Sequence, residues 1–203
     1  MVVFHTFGDS LASREHSVWT FALPNPHKLS THWLGPVLMH SFGTRGLPAA
    51  LSTYGVAPND WVCFCFGEID CRCHVHKHVT DSYPYQAVID ELVCRYMAGI
   101  AETVATVPDI RVAVYMVPPP VQKDVVASNA AFPFLGSDED RVAYTRYANA
   151  ALETACALHN YTFINAYDAY TTCDGFLEGS KSDGCNHCTF SAPIQDVVQR
   201  LLA

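Results

Sequence analysis

Charged side chains are scarce in this sequence, and basic ones are the scarcest. Of its 203 residues, 16% are charged, with 12 Lys and Arg against 20 Asp and Glu and a formal net charge of −8. A negative field repels a phosphate backbone, so we expect no nucleic-acid partner. The hydrophobic fraction is an ordinary 50%, which excludes a disordered chain, a collagen-like chain and a coiled coil.

Long apolar runs are also missing. No stretch approaches the roughly 20 apolar residues that cross a bilayer. Residues 1–9 lack the positively charged start of a secretory signal, and His5 and Asp9 interrupt their apolar part. We therefore expect a cytoplasmic protein without a membrane span. The nine cysteines are an odd number and cannot all pair within one chain, so we expect most of them to be reduced and buried.

Short apolar runs alternate with helical patterns along the chain. Predicted strands are residues 2–7, 29–34, 61–66, 110–117 and 161–165; predicted helices are 85–107, 138–159 with Ser137 as N-cap, and 192–202. This alternation predicts an α/β protein in three layers, α/β/α, around a five-stranded parallel sheet. A Pro-rich, polar stretch up to residue 136 predicts a long loop. Without repeats or linkers, we expect one domain over residues 1–203.

Three polar segments lie where such folds bind ligands, beyond the carboxyl ends of the strands. Gly8-Asp9-Ser10 follows the first predicted strand and Gly67-Glu68-Ile69-Asp70 follows the third. A serine at a strand-to-helix turn presents its hydroxyl beside free N–H groups that favour an oxyanion. The alternative is an ordinary Asp/Ser turn that caps the next helix.

The third segment supplies an acid and a base. Asp183 and His187 lie four positions apart, shortly before the last predicted helix. A serine nucleophile needs a base to take its proton, and the base needs a carboxylate to hold its tautomer. The order of the three segments along the chain therefore indicates a catalytic serine more strongly than any one of them does.

Taken together, the segments resemble the SGNH or GDSL-type hydrolases over almost the whole chain. The matching blocks are Gly8-Asp9-Ser10-Leu11, the glycine Gly35 (with Gly43 as a fallback), Gly67-Glu68-Ile69-Asp70 for the family's Gly-x-Asn-Asp, and Asp183 with His187 for its Asp-x-x-His. The resemblance implies the flavodoxin-like fold of that family and a serine esterase that needs no cofactor.

Roles for individual residues follow from the resemblance. Ser10 would attack an acyl ester, His187 would accept its proton, and Asp183 would orient the imidazole. The expected oxyanion and substrate contacts are Gly35, Gly67, Glu68, Asp70 and Arg72. The implied substrates are small-molecule or glycan acyl esters, with O-acetyl carbohydrate among them.

Two departures from the family pattern stand out. Ile69 replaces the asparagine whose amide donates to the oxyanion, and loss of one such donor costs about 10²–10³ in rate. Arg72 is our first choice for a substitute donor. In addition, three residues rather than two separate Asp183 from His187; an outward bulge of the loop would still keep both side chains in place.

Other interpretations stay open at this point. The run Cys71-Arg72-Cys73-His74-Val75-His76-Lys77-His78 and the pair Cys185 and Cys188 suggest zinc, but the spacing is incomplete, so we assign no metal ligand. An O-acyltransferase would use the same triad. A catalytically silent protein on this fold is the remaining alternative, and Ile69 is the residue that favours it.

Overall fold

A parallel sheet of five strands forms the centre of the protein. The computed structural model describes residues 1–13, 15–127 and 129–203. The strands are β1 (Val3–Gly8), β2 (Lys28–Trp33), β3 (Trp61–Cys65), β4 (Arg111–Tyr115) and β5 (Thr162–Ile164), in the spatial order β2-β1-β3-β4-β5. Every neighbouring pair is parallel. This is the flavodoxin-like order, and the predicted fold class is confirmed.

Within the described residues, five α-helices connect or follow the strands. They are α1 (Met39–Arg45), α2 (Val75–His78), α3 (Tyr85–Val104), α4 (Asp138–His159) and α5 (Ala192–Leu202). The three helices predicted from periodicity are confirmed. Helix α4 begins at Ser137, whose side chain accepts from the Asp140 N–H in a reciprocal capping box. The short helices α1 and α2 were not predicted, because neither is long enough to show a period.

Alternate strand residues pack into two separate cores, one on each face of the sheet. Phe7, Val62 and Phe64 belong to the core beneath α1, α3 and α4. Phe4 and Cys63 belong to the opposite core, which α5 and Trp19 cover. The central strands β1, β3 and β4 are therefore buried on both faces, as their mostly apolar sequences predict, whereas β2 at the sheet edge is only half-buried.

The strand order brings the predicted site together. Strands β1 and β3 are neighbours, while the chain leaves β1 towards β2 and leaves β3 towards β4. Crossover connections therefore run in opposite directions from this pair, which opens a crevice at its carboxyl end. The segments that start at Gly8 and Gly67 border that crevice.

The cysteines are consistent with the expectation of reduced, buried thiols. All nine are free; six are buried, and Cys94, Cys173 and Cys185 are exposed. Within the described residues, no helix has the length and apolar character that a membrane crossing requires.

Candidate active site

Ser10 starts a turn of 3₁₀ helix, Ser10–Ala12, directly after β1. The preceding Asp9 is fully buried and accepts the Leu11 N–H at 2.9 Å. The Ala12 N–H donates to the Asp9 carbonyl at 3.1 Å. This Asx-type cap holds the turn tightly, so the half-buried Ser10 side chain stands at the carboxyl edge of the sheet.

A cavity of about 370 Å³ opens at this edge and joins the predicted residues from distant parts of the chain. Three of the predicted site residues, Ser10, Arg72 and His187, line it directly. The rest of its wall comes from four segments: Trp33 and Pro36; Ile69; Val126, Ala127, Asn129, Phe132 and Phe134; Cys185 and Asn186. The long loop predicted before residue 136 is thus one wall of the cavity.

The acid and the base meet despite their unusual spacing. His187 Nδ1 lies 2.7 Å from Asp183 Oδ2. The Asp183 N–H donates to the His187 carbonyl at 3.3 Å, and the other carboxylate oxygen accepts the Cys185 N–H at 2.8 Å. Gly184 at the tip has φ +85°, so the extra residue is absorbed in a left-handed turn, as the bulge hypothesis requires.

The hydrogen bonds of Asp183 determine its charge. Partial burial would raise the pKa of this carboxyl, but the bonds from His187 and the Cys185 N–H outweigh burial and lower the pKa below its ordinary value. Asp183 is ionised near neutral pH, and a carboxylate at this distance favours the His187 tautomer that has its hydrogen on Nδ1 and its lone pair on Nε2.

Ser10 and the imidazole share the cavity without a direct bond. Over residues 1–13, 15–127 and 129–203, no hydrogen bond joins Ser10 Oγ to His187, and neither the Ser10 N–H nor the Gly35 N–H has a protein acceptor. Catalytic hydrogen bonds are commonly long without substrate.

Known structures share this architecture at low sequence identity. A GDSL-like lipase from Bacteroides thetaiotaomicron aligns over 98% of this chain and 87% of its own, with a TM-score of 0.60 and 11% identity. A carbohydrate acetylesterase from Sinorhizobium meliloti aligns over 99% and 100%, with a TM-score of 0.58 and 18% identity. This chain has the SGNH-hydrolase fold. An acetylxylan esterase from Geobacillus stearothermophilus, at a TM-score of 0.60 and 11% identity, covers 99% of this chain and 93% of its own.

The sequence itself matches no family model and no curated protein. At identities of 11–18%, the structural likeness establishes the SGNH fold, while the activity must be argued from the residues of this site.

Arg72 has a different task from the one the sequence suggested. Its Nε and Nη2 donate to the Glu68 carboxylate at 2.6 and 3.0 Å, and its Nη1 donates to the Phe132 carbonyl at 2.5 Å. The guanidinium also lies 5.2 Å from the ring of Phe134. Arg72 therefore ties the loop wall of the cavity to the turn after β3, and its donors are largely committed.

Glu68 and Arg72 form an ion pair that is almost wholly buried. Their side chains are only 8% and 10% exposed. Burial would lower the pKa of Arg72, but the Glu68 carboxylate outweighs burial and raises it. The pair is a bidentate ion pair with little solvent, a geometry in which each partner depends on the other.

Asp70 acts as a long-range helix cap. Its carboxylate accepts the Met39 and His40 N–H groups at 2.7 and 3.2 Å, which are the first free donors of α1. Burial raises the pKa of Asp70 to about 6. It also raises the pKa of Asp9 well above its ordinary value. Asp9 and Asp70 therefore hold backbone segments in place through these hydrogen bonds.

The two predicted block glycines serve different ends. Gly35 has φ +81° and open space around its missing side chain, so it forms a left-handed turn beside Trp33 and Pro36. Gly67 has φ +118°, and a Cβ there would approach Met39 Cε to 2.6 Å and Val117 Cγ2 to 2.8 Å. Gly35 therefore allows a left-handed turn between two residues that line the cavity, and Gly67 lets the turn after β3 pack closely.

The predicted Cys/His run does not form one ligand cluster. Cys71 and Cys73 are buried within a π-helical turn, Asp70–His74, that continues into α2. His76 instead bonds the Tyr144 hydroxyl at 2.9 Å. In the described ranges, the group of His, Cys, Asp or Glu close enough to hold a metal ion is His16, Asp183 and His187.

Sequence reasoning missed several residues that build the site. Trp33, the last residue of β2, is 65% exposed and lines the cavity. Asn149 of α4 binds the Val117 backbone through both amide atoms at 2.8 Å, which anchors the start of the long loop. An asparagine inside a helix is a weak signal, because only its partner 32 residues away reveals its role.

Proposed function

We propose that this protein is a serine esterase in which Ser10 is the nucleophile, His187 the general base and Asp183 the residue that orients the imidazole. The observation that carries the proposal is the 2.7 Å contact between His187 Nδ1 and Asp183 Oδ2, with His187 and Ser10 on one cavity at the carboxyl edge of a parallel sheet. An acid, a base and a serine in this relation activate a hydroxyl for acyl transfer.

The reaction follows from these positions. Ser10 Oγ attacks the ester carbonyl while His187 Nε2 takes its proton, because Nδ1 is engaged with Asp183. The imidazolium then protonates the leaving alcohol, and an acyl-enzyme forms on Ser10. Water, deprotonated by the same nitrogen, attacks the acyl-enzyme, and Ser10 recovers its proton as the acid leaves.

Oxyanion stabilisation rests on backbone groups in this proposal. The Ser10 and Gly35 N–H groups have no acceptor among the described residues, and helix or turn N–H groups aimed at developing charge stabilise it strongly. Ile69 lines the same cavity, and its side chain has no hydrogen-bond donor. The engaged Arg72 guanidinium contributes by holding the loop wall, not as the missing donor.

The cavity favours small acyl esters on a carbohydrate. Its volume of about 370 Å³ and its 65% exposed Trp33 suit a sugar ring stacked on an aromatic face, with the acetyl group directed towards Ser10. The acetylxylan esterase and carbohydrate acetylesterase among the structures of the same fold support this substrate class.

A substrate panel tests the proposal. Hydrolysis of 4-nitrophenyl acetate, butyrate and palmitate and of acetylated xylose would be measured for the parent, for Ser10→Ala and for the control Ser52→Ala. Ser52 is an exposed serine in the turn Leu51–Tyr54. We expect the acetyl esters to be the best substrates and Ser10→Ala to lose at least about 10⁴-fold in kcat. Hydrolysis by Ser10→Ala at the parent rate would refute the assignment.

The variant Trp33→Ala tests the contact with the sugar separately from the contact with the acyl group. We expect KM to rise several-fold for acetylated xylose and to change little for 4-nitrophenyl acetate, because the aryl ester does not need the sugar platform. Equal effects on both esters would contradict the carbohydrate part of the proposal.

A further inference from the structure

His16 joins the Asp–His pair without having a place in the ester mechanism. Its ring stacks on the ring of His187, with centroids 5.3 Å apart and planes at 29°. Its Nδ1 lies 4.0 Å from Asp183 Oδ2. One ligand atom from each of His16, Asp183 and His187 lies within 4.8 Å of the others.

The donors and their spacing suit zinc. Imidazole nitrogen and carboxylate oxygen bind Zn²⁺ at about 2.0–2.2 Å, which separates the ligand atoms of a tetrahedral site by about 3.3 Å. Asp183 Oδ2 lies 2.7 Å from His187 Nδ1 and 4.0 Å from His16 Nδ1, one distance below and one above that value. Small side-chain movements would therefore bring the three atoms to the spacing of a zinc site. Exposed fractions of 54%, 23% and 17% for the side chains of His16, Asp183 and His187 leave room for ion entry and a fourth ligand, water.

We propose that His16, Asp183 and His187 form an inhibitory site for a divalent transition-metal ion, with zinc as the ion that fits best. The inhibitory part rests on the proposed esterase function. A neutral imidazole has one lone pair to give. When Nδ1 of His187 gives it to zinc beside Asp183, the ring hydrogen resides on Nε2, and that nitrogen cannot accept the Ser10 proton.

His16 distinguishes this site from the ester mechanism. It supplies the third protein ligand of a zinc site that keeps one open position. The proposed proton transfers, in contrast, use only Ser10, His187 and Asp183. Removal of His16 therefore separates metal sensitivity from ester chemistry.

Direct zinc binding tests the proposal independently of activity. Calorimetric titration of chelator-treated protein with ZnCl₂ would use a background with Cys94, Cys173 and Cys185 replaced by serine, since these exposed thiols also bind zinc. We expect one ion per chain and a more than about tenfold weaker affinity in His16→Ala, because even outer partners of a metal ligand are worth 10–100-fold.

His159→Ala is the matched control. His159 is also exposed and stacked on a ring, that of Tyr161, with centroids 5.3 Å apart and planes at 26°. We expect zinc binding to be the same in His159→Ala as in the background protein. Equal affinity in the background protein and His16→Ala would overturn the site.

Activity decides the inhibitory role. Each protein is compared with itself, with and without zinc, on 4-nitrophenyl acetate, and EDTA should restore the lost rate. Zinc should inhibit the background protein and inhibit His16→Ala far less. Zinc binding at this site without inhibition would overturn the tautomer argument. A protein with no esterase activity in either condition would contradict the proposed function, while calorimetry would still decide whether the zinc site exists.

Discussion

The two walls of the cavity are built by opposite means. Asp183 and His187 are four residues apart in an exposed loop, and their bond is closed by local turns. The turn after β3 is buried, and its contacts are long-range: Arg72 bonds a carbonyl 60 residues away and Asp70 caps a helix that begins 31 residues earlier. We therefore expect substitutions in the first wall to cost less stability than the loss of a charged partner in the second.

Asp183→Asn should give the largest loss of activity. Asparagine keeps the shape but can hold the wrong imidazole tautomer, so we expect kcat to fall by about 10⁴-fold. Because the loop is exposed, the melting temperature should stay nearly unchanged. Kinetics on 4-nitrophenyl acetate and thermal unfolding would be measured beside Asp196→Asn, an exposed aspartate that pairs with Arg200 at 2.7 Å. A kcat within tenfold of the parent would remove Asp183 from the mechanism.

Glu68→Gln should give the largest loss of stability. It leaves the buried Arg72 charge without its partner, which costs roughly 3–5 kcal/mol. The matched control is Glu91→Gln, since Glu91 pairs with Arg95 at the same i,i+4 spacing but with both side chains about half exposed. That change should cost far less, because water screens an exposed ion pair. Urea denaturation measures both, and equal losses would show that burial does not distinguish the pairs.

Ile69→Asn adds a hydrogen-bond donor to the buried wall of the cavity and so tests whether the oxyanion lacks a side-chain donor. If backbone N–H groups alone hold the oxyanion, we expect ester turnover to rise by up to about 10²-fold. Ile69→Leu is the control, because it preserves an apolar side chain of similar volume. Asparagine and leucine variants of equal kcat would mean that another group already occupies the donor position.

The partly buried His32 makes the stability of the protein depend on pH. Burial, with the neighbouring His5, lowers the pKa of His32 to about 4, and the two rings share a 3.0 Å contact. His32 is neutral in the folded protein, whereas the unfolded chain takes up a proton below about pH 6.5. Stability should therefore decline as pH falls from about 6.5 to about 4.

Denaturation at several pH values tests this dependence. His32→Gln removes the titrating ring, so the loss of stability between pH 7 and pH 4.5 should be smaller than in the parent. This is the smallest of the four effects, because His32 is only partly buried. A parallel decline in both proteins would assign the acid sensitivity to other groups.

Local signals in the sequence predicted most of the scaffold. Apolar runs located all five strands, most clearly the central ones, which are buried on both faces. Ser137 predicted the start of α4, since its capping box closes within four residues. The contact of Asp183 with His187 was predictable for the same reason: its partners are neighbours along the chain.

Interactions between distant segments were decided only by the tertiary structure. Helix α1 has no side-chain cap of its own; its first N–H groups find Asp70 across the fold. Arg72 offered a free donor in the sequence and is committed to Glu68 and Phe132 in the structure. Trp33 and His16 carry no sequence signal, because their places beside the cavity depend on how the loops fold over the sheet edge. Periodicity and caps record contacts within one element. The amino-acid sequence by itself therefore determined the five strands, the three longer helices and the acid–base loop. The packing of distant segments decided the cavity and its committed charges.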